Sequence, residues 1–395
     1  MKSKPIHQRH DSTCKTFSKT SALALALSFS PALSALEVLD RTEVDISGKV
    51  VGALIADSDV SGMGVNNTPN GLYGRNTDPS VHIDSTLTRL NFGTNTQFEG
   101  NESIRSFISF DFNGANNGNM ELRMREALVD WQIGNGSLLI GQTWSTLMDM
   151  NRLPDTVLEP TLSGVVFTRQ PMIRWSQSFG NFRYDLALES GSNRVQIDDS
   201  HDLDTRLDNT SRFPDFVIGV QNSTDDYWVR ASAVVNHITT KVDQGQFAGE
   251  SFSDNGWAYQ VSGGIKFNPK DHFSIAYYNS YGNDRYVLGV NNTGPLFEPS
   301  TGEFHLRESQ SLWTSLGHSW TDSLKSTFAY GVWQAEEIEW QSDTFTKTQF
   351  ALANIKWTAR ENLVLGLEYN YTIYERSTSD DRDNHRVIFA VDYTF

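Results

Sequence analysis

The chain has 395 residues, a net charge of -16 at pH 7 and a mean hydropathy of -0.43. No stretch approaches the roughly 20 apolar residues that a membrane-spanning helix needs, which excludes a helical membrane protein. A membrane β-barrel remains compatible with these values, because its strands carry an apolar side chain only at every second position, and the aromatic share of 12% would supply its interfacial girdles.

Residues 1–35 have the pattern of a cleavable export signal. Basic residues precede a short apolar segment at 21–29, and small residues follow up to Ala35, after which we expect cleavage. The predicted mature chain, 36–395, is a single barrel domain. The only cysteine, Cys14, lies within the signal, so we expect no disulfide and no thiolate metal site, in keeping with an envelope compartment that oxidises thiols.

Along the rest of the chain, segments of about 10 to 13 residues place apolar side chains at every second position, the period of a β-strand. The segment that ends the sequence is the clearest, because Val387, Phe389, Val391, Tyr393 and Phe395 share one face. A strand of this kind, apolar on one face and finishing on an aromatic residue, is typical of the end of an outer-membrane barrel.

The connections between these segments alternate in length. Short connections, rich in turn-forming residues, are predicted near 99–102, 134–136, 179–181, 223–225, 268–271, 320–323 and 359–362. Long connections are predicted near 58–81, 114–120, 147–168, 192–213, 239–255, 283–306, 336–346 and 376–385. The pattern predicts an all-β fold, a transmembrane antiparallel β-barrel of about 16 strands with long external loops and short periplasmic turns. A soluble sandwich would share the alternation of side chains, but its loops would not alternate so regularly in length.

The third external loop, 147–168, differs from its neighbours in carrying many apolar residues. These side chains need cover, and folding inward against the barrel wall would provide it. A loop that enters the lumen narrows it, and charges at a constriction decide which ions pass. The candidates on this loop are Asp149, Arg152, Asp155 and Glu159. The alternative is a surface loop that packs on a neighbouring subunit.

The apolar face of each strand also assigns the wall charges to one side or the other. Because an arginine in the lipid midplane costs about 2–4 kcal/mol, arginines within strands are expected to face the lumen. On this basis we predict as inward Arg89, Arg105, Arg174, Arg183, Arg230 and Arg386.

Three arginines do not follow this rule simply. Arg123 and Arg125 share a phase with the outward Val129, which points them outward unless a bulge reverses their side. Arg169 shares a phase with the outward Ile173, but it adjoins the loop and can bend inward.

Several guanidinium groups on one wall would focus a positive potential on a passing ion, and their planar fork suits carboxylates. For each single arginine the alternative is a pair with a lumen carboxylate such as Asp111, Asp185, Glu189, Glu368 or Asp392. The net negative charge lies largely in external loops, which form either a solvated surface or a divalent-ion bridge to lipopolysaccharide.

Four segments of the chain resemble the DcaP-like trimeric outer-membrane porins: 141–149 (GQTWSTLMD), 169–175 (RQPMIRW), 89–94 (RLNFGT) and 127–131 (ALVDW). The first is the most specific, because it runs from the fifth predicted strand into the inward loop. The resemblance implies a 16-stranded trimer that takes up anionic solutes such as dicarboxylates or phthalates.

We therefore predict a porin for passive diffusion that favours anions, in which Arg89, Arg105, Arg174 and Arg183 face Asp149, Asp155 and Glu159 across the constriction. Arg125, Arg152 and Arg169 complete the candidate set. The alternatives are a general or cation-preferring porin of the same fold, and a structural barrel that does not conduct. Expected partners are outer-membrane lipid, lipopolysaccharide, small anions and two further copies of the chain, with no nucleic acid and no cofactor.

Enzymatic activity is not expected. His318 and Ser319 are the nearest approach to a catalytic pair, and they lack an orienting third group. Metal-protease, phosphate-binding and calcium-loop motifs are all missing from the sequence.

Overall fold

The computed structural model describes residues 41–59, 64–66, 78–114, 120–151, 153–191, 195–197, 205–209, 211–290, 294–341 and 343–395. The predicted signal peptide lies outside these residues. Glu43–Phe395 forms one compact unit. In the described part of the chain, no helix has the length and apolarity that crossing a membrane requires.

The described residues contain 21 strands and one short 3-10 helix, Asp284–Tyr286. The strands are β1 (Thr42–Asp57), β2 (Ser80–Asp84), β3 (Arg89–Gln97), β4 (Glu102–Asp111), β5 (Arg123–Ile133), β6 (Gly136–Trp144), β7 (Arg169–Phe179), β8 (Phe182–Glu189), β9 (Gln196–Ile197), β10 (Arg206–Asp208), β11 (Asp215–Ser223), β12 (Tyr227–Gln244), β13 (Ser251–Lys266), β14 (Asp271–Tyr281), β15 (Leu296–Glu298), β16 (Glu303–His305), β17 (Glu308–Ser319), β18 (Leu324–Ala335), β19 (Phe345–Arg360), β20 (Leu363–Arg376) and β21 (Arg382–Thr394).

These strands close into an antiparallel barrel of 16 wall strands, which confirms the predicted fold. Neighbours in sequence pair with each other around the wall, β2 and β3 act as two parts of one interrupted strand, and β10 extends the wall beside β12. The seam joins β1 to β21, where Lys49 to Asp57 pair with Thr394 to Arg386. Closure leaves no unpaired sheet edge in the wall, which a strand surrounded by lipid requires.

The two faces of the wall differ as the alternation predicts. On β21, Val387 and Phe389 point outward and are 44% and 43% exposed, whereas the intervening Ile388 is buried on the inside. Outward aromatic residues lie toward both ends of the strands: Trp257, Tyr277 and Tyr369 on the external side, Trp320, Trp357 and Phe395 near the turns. This distribution matches an apolar belt between two aromatic girdles.

The seven short connections are found where they were predicted. Two long connections are shorter than predicted. β12 and β13 continue as strands to Gln244 and from Ser251, so the predicted loop 239–255 shrinks to 245–250. β21 begins at Arg382, so the predicted loop 376–385 shrinks to 377–381. At the external ends of β12 and β13, polar residues keep the two-residue alternation of a β-strand, and the two strands extend beyond the apolar belt. Separate from the wall, β9, β15 and β16 form a small three-stranded sheet whose Phe297 packs on Ile238 and Val242 of β12.

The third external loop, residues 145–168 between β6 and β7, folds into the lumen as predicted. We refer to it as L3. Its Leu162 and Val165 are buried against Trp313 and Phe350 of the inner wall, and its Val157 packs near Ile388. Inward apolar residues on these wall strands are therefore covered by L3 rather than by water.

Candidate pore constriction

L3 touches the wall at several separate places. Asp149 accepts hydrogen bonds from Trp228 of β12 and Ser262 of β13. The backbone N–H of Val157 donates to Glu368 of β20 at 2.8 Å. Further along, Ser163 bonds to Thr348 of β19 at 3.0 Å. Because these strands lie on different sides of the barrel, L3 crosses the lumen instead of projecting from its rim.

Two glycines allow the close approach of L3 to the wall. Gly164 has a φ of +86°, and a Cβ there would lie 2.7 Å from the carbonyl oxygen of Val332. A Cβ on Gly331 of β18 would lie 2.1 Å from the carbonyl oxygen of Ser163. Neither position has room for a side chain, and only glycine adopts the Gly164 conformation at no steric cost.

Glu159 of L3 is the centre of a charged network on the opposite wall. Its carboxylate accepts from Arg89 of β3 at 2.7 Å and from Arg125 of β5 at 3.2 Å. Asp111 of β4 accepts from Arg125 at 2.7 Å and from Arg123 at 2.6 Å. The expected gap between Glu159 and the arginines is therefore wrong: the acid is in direct contact with them.

A β-bulge determines which face of the barrel wall Arg123 and Arg125 point to. Ser109 pairs with Glu126 and Phe110 with Met124, so the register between β4 and β5 skips Arg125. The extra residue reverses the phase of β5, which brings both arginines to the inner face and corrects the outward placement by simple parity.

Arg169 joins this group through an aromatic contact. Its guanidinium lies 4.8 Å from the ring centroid of Trp144, and Arg125 lies 5.7 Å from the same ring. Trp144 packs in turn on Phe167 of L3, with ring centroids 4.5 Å apart. Among the described residues no carboxylate lies within ion-pair distance of Arg169, and its Nη1 is buried without a hydrogen-bond partner.

A second group of arginines lies on β7, β8 and β12. Arg183 and Arg230 both contact Asp185, at 2.8 and 2.9 Å. Arg174 donates only to the carbonyl oxygen of Trp144, at 3.5 Å, and no described carboxylate is within ion-pair distance of it. Two of these three guanidinium groups thus share one carboxylate, and the third has none.

The remaining candidates are dispersed. Arg105 of β4 is exposed and lies over the ring of Phe107 at 5.6 Å. Asp149 is buried at the root of L3 and forms no ion pair with an arginine among the described residues, in contrast to the expected arrangement. Asp155 is held by Lys356 and by Lys325, the latter at 2.6 Å. Arg152 lies outside the described residues.

The two lysines were not anticipated from the sequence. Lys325 and Lys356 stand on inward positions of β18 and β19, which their phase relative to the outward Phe328 and Trp357 would have indicated. Opposite charges within reach outweigh desolvation and hold the pKa of Asp155 below its usual value.

The ion pairs of L3 predict how the channel responds to acid. Burial opposes ionisation of Glu159, but the charges of Arg125 and Arg89 prevail and hold its pKa below the ordinary value. A depressed folded-state pKa means that docking of L3 is stabilised above the ordinary carboxyl pKa and loses this contribution only as pH falls through the lower folded value. We expect constant single-channel conductance from pH 7 to about 5 and a change only below about 4. A conductance step between pH 5 and 7 would contradict this assignment.

The described residues contain no group of three or more His, Cys, Asp or Glu side chains placed to hold a metal ion. His318 has an acidic partner that the sequence did not indicate, since its Nδ1 lies 2.5 Å from the Asp271 carboxylate, but Ser319 is the next residue of β17 and faces the opposite side of the strand. The charged groups of the lumen that the structure describes lie on L3 and on the wall strands it contacts. The geometry is that of a passage with a charged constriction.

The family described as DcaP outer membrane protein matches residues 104–395. The chain belongs to the DcaP outer membrane protein family. It is thus a barrel of the bacterial outer membrane, in a family of outer-membrane channels.

Among solved structures, the outer membrane channel DcaP of Acinetobacter baumannii is similar to this member of the DcaP family, with a TM-score of 0.77, 19% identity, and coverage of 90% of this chain and 98% of that one. Salmonella typhi OmpF in complex with daunomycin gives a TM-score of 0.59, 11% identity and coverage of 90% and 99%. Outer-membrane expressed OmpT of Vibrio cholerae gives 0.56, 12% identity and coverage of 90% and 98%. No curated protein sequence matches the chain. These structural likenesses support the fold.

Proposed function

We propose that this DcaP family member is a passive channel that favours small anions, especially carboxylates. The observation that carries the proposal is the excess of guanidinium groups around L3. Within the Glu159 network, Arg89, Arg123 and Arg125 form ion pairs with the carboxylates Asp111 and Glu159. Arg169 adjoins the network as a fourth arginine through the ring of Trp144, with no such pair. Even when the inward Glu126, which accepts from Thr143, is included, positive groups outnumber negative ones.

Unpaired guanidinium groups matter most for selectivity. Arg169 and Arg174 lie on β7 and both contact Trp144, the last residue before L3, and their positive charge is not cancelled by a described carboxylate within ion-pair distance. A passing carboxylate can accept two parallel N–H bonds from such a fork, which a halide or a cation cannot. The same groups repel cations at the narrowest part of the lumen.

The purified protein in planar bilayers under a KCl gradient tests this proposal. We expect a reversal potential displaced from zero toward the equilibrium potential of chloride. We also expect a decrease in single-channel current when a dicarboxylate is added at submillimolar concentration. A matched dialcohol of the same chain length serves as the control and should not decrease the current. A reversal potential displaced toward the equilibrium potential of potassium would favour the general or cation-preferring porin instead. An absence of single-channel currents would favour a structural barrel.

We also propose that the channel assembles as a trimer. One solved structure of Vibrio cholerae OmpT, with a TM-score of 0.53 and 11% identity, is described as a trimer form. Light scattering of the protein in detergent should give three chains per particle. A single chain per particle would overturn the trimer without affecting selectivity.

A further inference from the structure

We propose that a second external segment, residues 283–290 between β14 and β15, is a strut that fixes L3 across the lumen. The opening of the pore is then set by two loops. This inference rests on the barrel being a conducting channel. The sequence predicted 283–306 as an exposed loop, yet Tyr286, Val287 and Val290 are 0–1% exposed, so this part of the loop lies inside the barrel.

The strut and L3 are joined through their backbones. Val166 and Val287 form an antiparallel β-bridge. The N–H of Phe167 donates to the carbonyl of Tyr286 at 2.8 Å, and the N–H of Leu288 donates to the carbonyl of Val165 at 3.0 Å. Two backbone hydrogen bonds shielded from water resist separation, because each would leave a buried polar group without a partner.

Polar side chains tie the other side of the strut to the wall. Arg285 forms an ion pair with Asp215 of β11 and donates to Gln170 of β7 at 2.5 Å. Asn283 and Asn236 of β12 exchange hydrogen bonds at 2.9 and 3.2 Å. The strut is therefore attached to three wall strands as well as to L3, and moving it would leave a buried charge unpaired.

The space between strut, L3 and wall is filled with apolar side chains. The lumen of a water-filled barrel is normally lined with polar residues, but here β8 and β11–β14 each contribute one inward apolar residue at the level of the strut: Ala187, Val217, Val234, Ala258 and Tyr278. They pack on Leu147, Met148 and Val166 of L3 and on the strut. Protein fills the space between the strut and this part of the wall, so solutes are directed toward the side where Arg89, Arg123 and Arg125 stand.

A disulfide between the two loops tests whether this contact exists in the conducting channel. Cys14 is the only cysteine and lies in the predicted signal, so the pair Val166→Cys and Val287→Cys would introduce the only thiols of the predicted mature chain. The two positions face each other in a non-hydrogen-bonded antiparallel pair, where Cα atoms lie about 4.5 Å apart, within disulfide range. We expect the disulfide to form and the oxidised and reduced channels to conduct equally. A failure to cross-link, or a change in conductance of twofold or more on oxidation that single-cysteine variants do not show, would overturn the proposal.

Replacing 284–290 with a glycine-serine segment of equal length tests whether the strut holds L3. We expect conductance to rise about twofold and open-channel noise to increase, because L3 loses its brace. Glycine or serine at 245, 246, 248 and 249 of an external hairpin loop, with Phe247 kept for its contact with Phe297 of β15, is the control and should change neither. Circular dichroism confirms that both variants keep the barrel. Unchanged conductance in a folded 284–290 variant would overturn the strut even if the channel favours anions, whereas doubled conductance in a channel without anion preference would overturn only the proposed selectivity.

Discussion

The double substitution Arg169→Gln and Arg174→Gln is expected to lower the chloride-to-potassium permeability ratio about tenfold. A unit charge about 6 Å from a passing ion contributes roughly 0.7 kcal/mol even at the dielectric constant of water, and screening at about 0.1 M salt roughly halves this energy. Because the charge attracts the anion and repels the cation by the same amount, each arginine changes the permeability ratio about threefold. A lumen with low-dielectric walls strengthens this effect. Because neither guanidinium is held by a described carboxylate, their removal leaves no buried acid unpaired and should not disturb L3.

The measurement is the reversal potential in planar bilayers at about 0.1 M salt or below, where the Debye length of about 10 Å leaves the charges effective. The matched control is Arg360→Gln, which removes the same group from an exposed position that donates only to a backbone carbonyl. An unchanged ratio in the double variant, with the barrel intact, would remove these two arginines from the selective element.

The substitution Glu159→Gln is expected to act with the opposite sign. It removes the carboxylate that Arg89 and Arg125 share, so one negative charge leaves the constriction and anion preference should rise about threefold by the same Coulomb estimate. The amide keeps one acceptor, but truncating a partner of a buried ion pair costs about 3–5 kcal/mol in other proteins. We therefore also expect L3 to loosen, seen as more frequent current fluctuations.

Glu375→Gln is the matched control, because this carboxylate pairs with Lys347 at 2.9 Å on the outward face of the wall. It should leave both the permeability ratio and the current noise unchanged. If Glu159→Gln lowered anion preference, the network would have to act through its geometry rather than through its charge, and the electrostatic account of selectivity would be wrong.

The sequence predicts the wall well because each strand there obeys a local rule. The alternation of Val387 and Phe389 with buried neighbours needs no knowledge of other strands. The inward course of L3 was also predictable, since its apolar residues require cover.

The constriction itself depends on contacts between distant segments. Here the alternation of odd and even positions does not correctly assign every side chain to the inner or outer face. Arg125 faces inward only because one residue is inserted in the register of β5 against β4, and a bulge has no reliable signal in a single sequence. Asp149 looked like a pore charge but serves as a buried acceptor for Trp228 and Ser262. Tyr286, Val287 and Val290 form an apolar group inside a polar loop and are a sequence signal for the strut, but its partner on L3 could not be inferred.

The seam between β1 and β21 has a consequence for biogenesis. Its pairs join residues more than 300 positions apart, for example Asp57 and Arg386, whose side chains form a buried ion pair at 2.6 Å. Contacts of such high sequence separation form late and slowly. Until β1 and β21 have paired, the sheet remains open, with two unpaired edges that can bind other chains. A nascent chain that loses β21 would expose two such edges at once, and periplasmic chaperones and proteases should remove it before it reaches a bilayer.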